Sequence, residues 1–511
     1  MEIVQDKALL LKLRNPKQVT TVIPKSKELA DNKVVVNWGI DEVHVLRNLN
    51  IKAPSPINAR YEWTGVHPPY EHQKNTASFL TLHKRAFCFN EQGTGKTASA
   101  IWAADYLMKQ GRVNRVLVVC PLSIMDAAWK NDLFTFAMHR KVDVAYGNAK
   151  KRREILNMGA EFVIINYDGI GIVYEEIKNG GFDLIIVDEA THYKNPQTKR
   201  WKILNSLLTP KTWLWMMTGT PAAQSPVDAF GLAKMVNPSG VPRYLTAFKD
   251  LVMYKITQFK YVPKPDATET IHRVLQPAIR YTKEECLDLP EMTYSKRDVE
   301  LTPQQRKFYE LLRKQKLVGT AGEDITASNA AILMNKLLQI SCGAVYSDEK
   351  NTVQFDVKNR YAVLKEAIDE SSQKVLVFLP FKNTITLVQE LLTRDNITTE
   401  VISGDVPGHK RTEIFDKFQN TPDPRVLLIQ PQAAAHGVTL TAANTIVWWG
   451  PTSSLEIYAQ ANARVHRNGQ KHPCTVIQLQ GSAVERHIYS LLDNRIDVHT
   501  KMIELYNEIV D

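Results

Sequence analysis

Short apolar runs rich in β-branched residues recur along this chain, each followed by a stretch of helical length, and this alternation narrows its folding options most. In the first half the runs are Val116 to Cys120, Phe162 to Tyr167, Leu184 to Val187 and Leu214 to Met217. A second set follows at Val375 to Leu379, Thr399 to Ile402, Val426 to Ile429, Thr445 to Trp449 and Val476 to Leu479. A strand that is apolar throughout is buried on both faces, and intervening helices can cover both, so the pattern predicts parallel sheets of the α/β class. Two sets of runs predict two tandem lobes, over residues 61–225 and 351–511. Between them, residues 226–350 carry longer helical segments, Pro303 to Leu317 and Ser328 to Ile340, and are read as a helical insertion and interlobe region. Residues 1–60 offer short strands at Gln18 to Ile23 and Lys33 to Trp38, then Pro54 and Pro56, and are read as a small β-rich N-terminal appendage.

Composition narrows the classes further. With 511 residues, 44% hydrophobic and 23% charged, the chain is long enough for two to four domains with real cores, and a disorder-dominated reading is not needed. Its apolar runs are strand-sized and no secretory signal follows Met1-Glu2-Ile3, so a soluble, intracellular, cytoplasmic protein with no membrane partner is expected. Cys88, Cys120, Cys286, Cys342 and Cys474 are scattered without a CxxC pair, which argues against a disulfide framework or a structural zinc site. A net charge of +10 suits a polyanionic partner without selecting one.

The strongest chemical signal is Asn90-Glu91-Gln92-Gly93-Thr94-Gly95-Lys96-Thr97, ahead of a helical stretch from Ala98 to Lys109. In such a loop the backbone around Gly93, Thr94 and Gly95 cradles phosphates, Lys96 reaches the β and γ phosphates, and the Thr97 hydroxyl serves Mg²⁺. Asn90 stands where the usual first glycine would be. Asp188-Glu189 ends the strand Leu184 to Val187. A carboxylate pair there can bind Mg²⁺ through water, by Asp188, and polarise an attacking water, by Glu189. Alone such a pair more commonly marks a helix N-terminus. With Thr218-Gly219-Thr220-Pro221 ending the next strand, the ordered set points to ATP and Mg²⁺.

These motifs resemble the Swi/Snf family of superfamily-two helicase-like ATPases, from about Tyr70 onward. The residues that carry the resemblance are Tyr70-Glu71-His72-Gln73, the phosphate loop, Val119 to Ser123 with Trp129, Val187 to Ala190 with Lys194-Asn195, and Thr218 to Pro221. In the second half Gln460-Ala461-Asn462-Ala463-Arg464-Val465-His466-Arg467-Asn468-Gly469-Gln470 looks like the family's final motif. The resemblance implies two tandem RecA-like P-loop lobes, an adenine contact from Gln73, and a DNA translocase of compact bacterial or phage type. Arg464 and Arg467, three apart, are expected on one helical face as arginine fingers, which makes hydrolysis depend on closure of the cleft between lobes.

The chain departs from the family at Thr191, where the DEAH sequence has histidine, and at Ala433 to Leu440, where Gly437 is kept as a nucleotide-sensing residue. Ser123, Asn166, Lys194, Asn195 and Lys382 are the candidate contacts to nucleic acid, with Lys199-Arg200 and Ser403-Gly404 nearby. Hydroxyls, amides and lysines at strand ends suit phosphates rather than bases. Tyr254-Lys255 and Phe259-Lys260-Tyr261 interleave aromatics with lysines, which snorkelling beside a helical core explains equally well. The partner expected is DNA, double-stranded or branched. Three activities stay open: translocation on duplex DNA, fork remodelling or strand separation, and a nucleotide-regulated clamp. The clamp needs no water-activating Glu189.

Overall fold

The computed structural model describes residues 1–65, 67–219, 225–257, 261–286, 289–319, 327–346, 352–434 and 438–494. The chain divides into two units, Met1–Cys286 and Leu287–Asp511. Residues 226–350 fall partly in each.

The first unit opens with an antiparallel sheet in the order β1-β2-β4-β3, built from β1 (Glu2–Val4), β2 (Ala8–Lys12), β3 (Lys27–Leu29) and β4 (Lys33–Asn37). Alternation decides which face is buried: Leu9, Leu11, Val34 and Val36 point inward, whereas Lys12 and Asn37 are exposed. The strand expected at Gln18 to Ile23 is instead the short helix Lys17–Thr20. Pro16 fixes the entry to its first turn, the Thr21 hydroxyl donates to the Lys17 carbonyl at 2.7 Å, and Val19 and Ile23, four apart, are both buried. The second expected strand is β4.

Beyond this sheet come β5 (Arg85–Cys88), β6 (Val116–Cys120), β7 (Val142–Val144), β8 (Phe162–Asn166), β9 (Leu184–Asp188) and β10 (Trp213–Met217). The ribbon β11 (Met253–Lys255) and β12 (Tyr261–Pro263) follows, then β13 (Ala278–Ile279). With β13 added, the main sheet runs β13-β5-β10-β9-β6-β8-β7, all neighbours parallel. Residues of β6 and β8 alternate between two apolar cores, one on each face of the sheet, as a doubly covered sheet requires. Consecutive strands β5 and β6 are separated by β10 and β9, so a topological switch lies between them, where α/β sheets place ligands beyond the carboxyl ends of their strands. The register is level at that edge: Met217 of β10 lies opposite Cys88 on one side and Asp188 on the other.

The second unit has β14 (Met292–Asp298), the ribbon β15 (Ala344–Tyr346) and β16 (Thr352–Gln354), then β17 (Lys374–Phe378), β18 (Thr399–Ile402), β19 (Val426–Ile429), β20 (Ala443–Trp448) and β21 (Cys474–Gln480). Its parallel sheet runs β14-β21-β20-β17-β19-β18. The helices expected after residue 300 form as Pro303–Gly319 and Ala327–Cys342. The buried pair Arg360 and Glu485, 2.8 Å apart, ties the helix Lys358–Glu370 to the capped start of Ala483–Asp493. No helix among the described residues is long and apolar enough to cross a membrane.

Candidate active site

At the carboxyl end of β5 the chain leaves the sheet through Phe89 and enters the loop Asn90 to Gly95. Gly93 and Gly95 take φ of 88° and 80°, a left-handed backbone that glycine adopts without steric cost. Gly95 then caps the helix Lys96–Lys109, so Lys96 and Thr97 occupy its first turn, where a helix favours anionic groups. A Cβ on Gly95 would stand 2.1 Å from Gln73 Nε2. Lys96 Nζ donates to the Asn90 carbonyl at 2.7 Å, and the Thr94 hydroxyl to the Glu91 carbonyl at 2.8 Å.

Asn90, the departure from the usual glycine, holds this loop in place. Its amide donates to Thr76 at 2.8 Å and accepts from the Tyr281 backbone at 3.0 Å. Glu91 N donates to the Tyr281 carbonyl at 2.9 Å. Gln73 and His72 both bond the Thr94 carbonyl, at 3.2 and 2.8 Å, and Gln73 also accepts from Tyr70 N at 3.0 Å. Gln73 therefore spans from its own helix start to the loop.

Two strands away, Asp188 ends β9 and is buried. Its carboxylate accepts from the Trp129 indole at 2.9 Å and from Glu189 N at 3.0 Å. Burial raises its pKa, against the opposing pull of the Lys96 ammonium and these two hydrogen bonds. Glu189 follows at φ 49°, ψ 57°, an uncommon conformation for a residue with a side chain, and its carboxylate accepts from Gln92 Nε2 at 3.4 Å. The Tyr167 hydroxyl donates to the Asp188 carbonyl at 2.7 Å, bracing the turn. Gly219 faces the loop, its missing Cβ 3.8 Å from the backbone at Asn90 and Gln92. Thr220 and Pro221 lie outside the described residues.

The donor set fits Mg²⁺ and a nucleotide triphosphate. A buried carboxylate beside an ammonium and the Thr97 hydroxyl supply hard oxygen ligands and a phosphate-seeking cation. The buried Gln92 Oε1, with no hydrogen-bond partner among the described residues, can accept from a water.

In the second unit the helix Leu455–Asn462 ends before the arginines. Arg464 and Arg467 lie in the turns that follow, not on a helical face, because the chain leaves the helix at Ala463 and the Asn462 side chain is held by the Trp448 indole at 2.9 Å. The two still converge: Arg464 Nη1 and Arg467 Nη1 both donate to the Val438 carbonyl, at 3.4 and 3.1 Å. Gln470 fixes the far end of the turn, donating to Ala443 at 2.9 Å and accepting from Lys471 N at 2.9 Å. Gly437 lies outside the described residues.

Among the nominated nucleic-acid contacts, Asn166 ends β8 and accepts from Arg152 at 3.0 Å. Lys194 pairs with Asp228 at 3.1 Å and Lys382 with Asp405 at 2.6 Å, while Asn195 is exposed and accepts from Gln197 N at 2.9 Å. The side chain of Ser123 lies outside the described residues. The bracing roles of Trp129, Tyr167 and Tyr281 carry no residue-level signal of their own, although Trp129 is among the residues that carry the family resemblance.

Parallel sheets, a glycine-bearing loop opening a helix and carboxylates at the neighbouring strand end place the chain among the P-loop α/β proteins. It belongs to the SNF2-related family: residues 72–343 match the SNF2-related domain, and residues 359–469 match the helicase conserved C-terminal domain. An uncharacterised ATP-dependent helicase of Mycoplasma genitalium is 26% identical over 76% of this chain and 37% of its own length. Chromodomain-helicase-DNA-binding protein 1-like of Danio rerio is 24% identical over 81% of this chain and 41% of its own. The chain thus spans well under half of each of these relatives. The Sulfolobus solfataricus SWI2/SNF2 ATPase core solved with dsDNA is 22% identical, with a TM-score of 0.43, over 84% of this chain and 92% of that one.

Proposed function

We propose that this chain is a DNA-dependent ATPase that translocates on double-stranded DNA and remodels DNA or protein–DNA complexes. The observation that carries the reading is the level edge of β5, β10 and β9, which sets the loop with Lys96 beside the buried Asp188. Family membership and the relatives' names, helicase and DNA-binding, support the same reading. Gly93 and Gly95 shape the loop around phosphates, Lys96 exchanges the Asn90 carbonyl for them, and Mg²⁺ would be held by the Thr97 hydroxyl and, through water, by Asp188. A Mg²⁺ ion held there would supply positive charge to offset that of the phosphates. Glu189 takes the proton of the attacking water. Arg464 and Arg467 supply charge that stabilises the γ-phosphoryl in the transition state. Gln73 contacts adenine by giving up one of its two internal partners.

Steady-state turnover with Mg²⁺, with and without duplex DNA, tests this. Strong stimulation by DNA is expected. Lys96→Ala and Glu189→Gln should each abolish turnover and differ in binding: the glutamine variant keeps ATP, whereas the alanine variant loses it. Wild-type turnover in either would remove the site assignment.

A further inference from the structure

The helix Leu245–Val252 leads directly into β11, and the ribbon carries aromatic and basic side chains on both faces, Tyr254 with Lys264 on one and Tyr261 with Lys255 and Lys249 on the other. Tyr254 is 51% exposed and Ile256 58%. In the ribbon Tyr254 pairs with Val262, and Lys264 follows two residues on, its ammonium 5.3 Å from the centre of the Tyr254 ring. That ammonium is pinned by donating to the Asp250 carbonyl at 2.6 Å, which leaves it further donors. Lys255 pairs with Tyr261, whose ring centre lies 3.2 Å from the Lys249 ammonium. Between residues 243 and 264 the only carboxylate is Asp250. No ion pair among the described residues joins Arg243, Lys249, Lys255 or Lys264 to a carboxylate.

An exposed ring with a fixed cation alongside, in no ion pair with a carboxylate among the described residues, complements a polyanion that also offers flat faces. Duplex DNA offers phosphates but hides its base faces in the stack, whereas an unpaired strand offers both. We propose that the Tyr254 face of the β11–β12 ribbon holds an unpaired segment of a DNA strand, with a base stacked on Tyr254 and an adjoining phosphate met by Lys264. The proposal rests on the DNA-motor reading and refines its substrate to duplex that carries unpaired nucleotides.

Its test is binding of the full chain, without ATP, to a labelled oligodeoxythymidine and to a blunt duplex. Tyr254→Ala should weaken oligodeoxythymidine about tenfold, while Tyr254→Trp keeps it. Lys264→Gln should weaken it too and reduce its salt dependence. Duplex affinity and duplex-stimulated ATP turnover should stay unchanged in all three variants. Undiminished oligodeoxythymidine binding in Tyr254→Ala would overturn the proposal, as would equal losses for oligonucleotide and duplex. Absent DNA stimulation in the wild-type chain would instead count against the motor reading, because the ribbon is judged on binding alone.

Discussion

Asp188, proposed to hold Mg²⁺, is buried at the carboxyl end of β9. Burial raises its carboxyl above the ordinary value, so ionising it costs the folded chain more than the unfolded one. A group whose pKa rises on folding contributes stability below its ordinary value, about 3.9 for aspartate, and loses it as pH climbs through the raised one. Asp188→Asn should therefore raise the Tm at neutral pH, measured without nucleotide or Mg²⁺, and the gain should shrink as pH falls towards the ordinary carboxylate range. Turnover should vanish in the same variant. A lower Tm at neutral pH would mean that Lys96 and Trp129 outweigh the burial. Arg467→Ala is expected to lower kcat by roughly 10³ or more while leaving ATP binding nearly intact, and a raised KM with kcat unchanged would contradict the finger role. Lys96, Asp188 and Glu189 were legible as candidates because phosphate and water chemistry demands such residues at strand and helix ends. The Trp129 indole on Asp188 was not, since nothing in a tryptophan's sequence position reveals which distant carboxylate it will meet.

At the scale of elements, the loop and the helix it opens depend on Gly95. Gly95→Ala would need a left-handed φ of 80° and a Cβ 2.1 Å from Gln73 Nε2. The backbone cost alone is about 1 kcal/mol or more, and the displaced Gln73 should weaken ATP binding, as nucleotide titration would show. In the second unit Glu485 meets Arg360, caps its helix through Ser482 N at 2.9 Å, and accepts from Gly481 N at 2.7 Å. Glu485→Ala leaves a buried guanidinium uncompensated, at a cost of about 3–5 kcal/mol by chemical denaturation. A loss below about 1 kcal/mol would mean that water reaches Arg360. Doubly covered strands announced themselves as continuous apolar runs, whereas β5, only Arg85–Cys88, and β14, an edge strand with mostly polar exposed positions, did not. The Gln18 to Ile23 error has the same root. Six residues hold too few apolar positions to separate a period of two from one of four, and Pro16 decided the matter. Likewise the spacing of Arg464 and Arg467 suggested a helix, but the chain reaches the same convergence through a turn onto Val438.

For the whole molecule, the net charge of +10 and the proposed phosphate-directed contacts predict DNA affinity that falls steeply with salt and differs little between unrelated duplex sequences. Strong preference for one sequence, persisting at high salt, would require a base-reading element. The two α/β lobes were readable as two sets of apolar runs. The place of residues 226–350 was not, because helical periodicity says which face is buried and not which unit buries it. The central claim is movement along duplex DNA driven by ATP, and one comparison tests it most directly: displacement of a short third strand from a triplex against unwinding of a long tailed duplex, with Glu189→Gln as control. The account predicts ATP-dependent triplex displacement by the wild-type chain, none by Glu189→Gln, and little unwinding of the long duplex. Efficient unwinding without triplex displacement would contradict it and identify a strand-separating helicase.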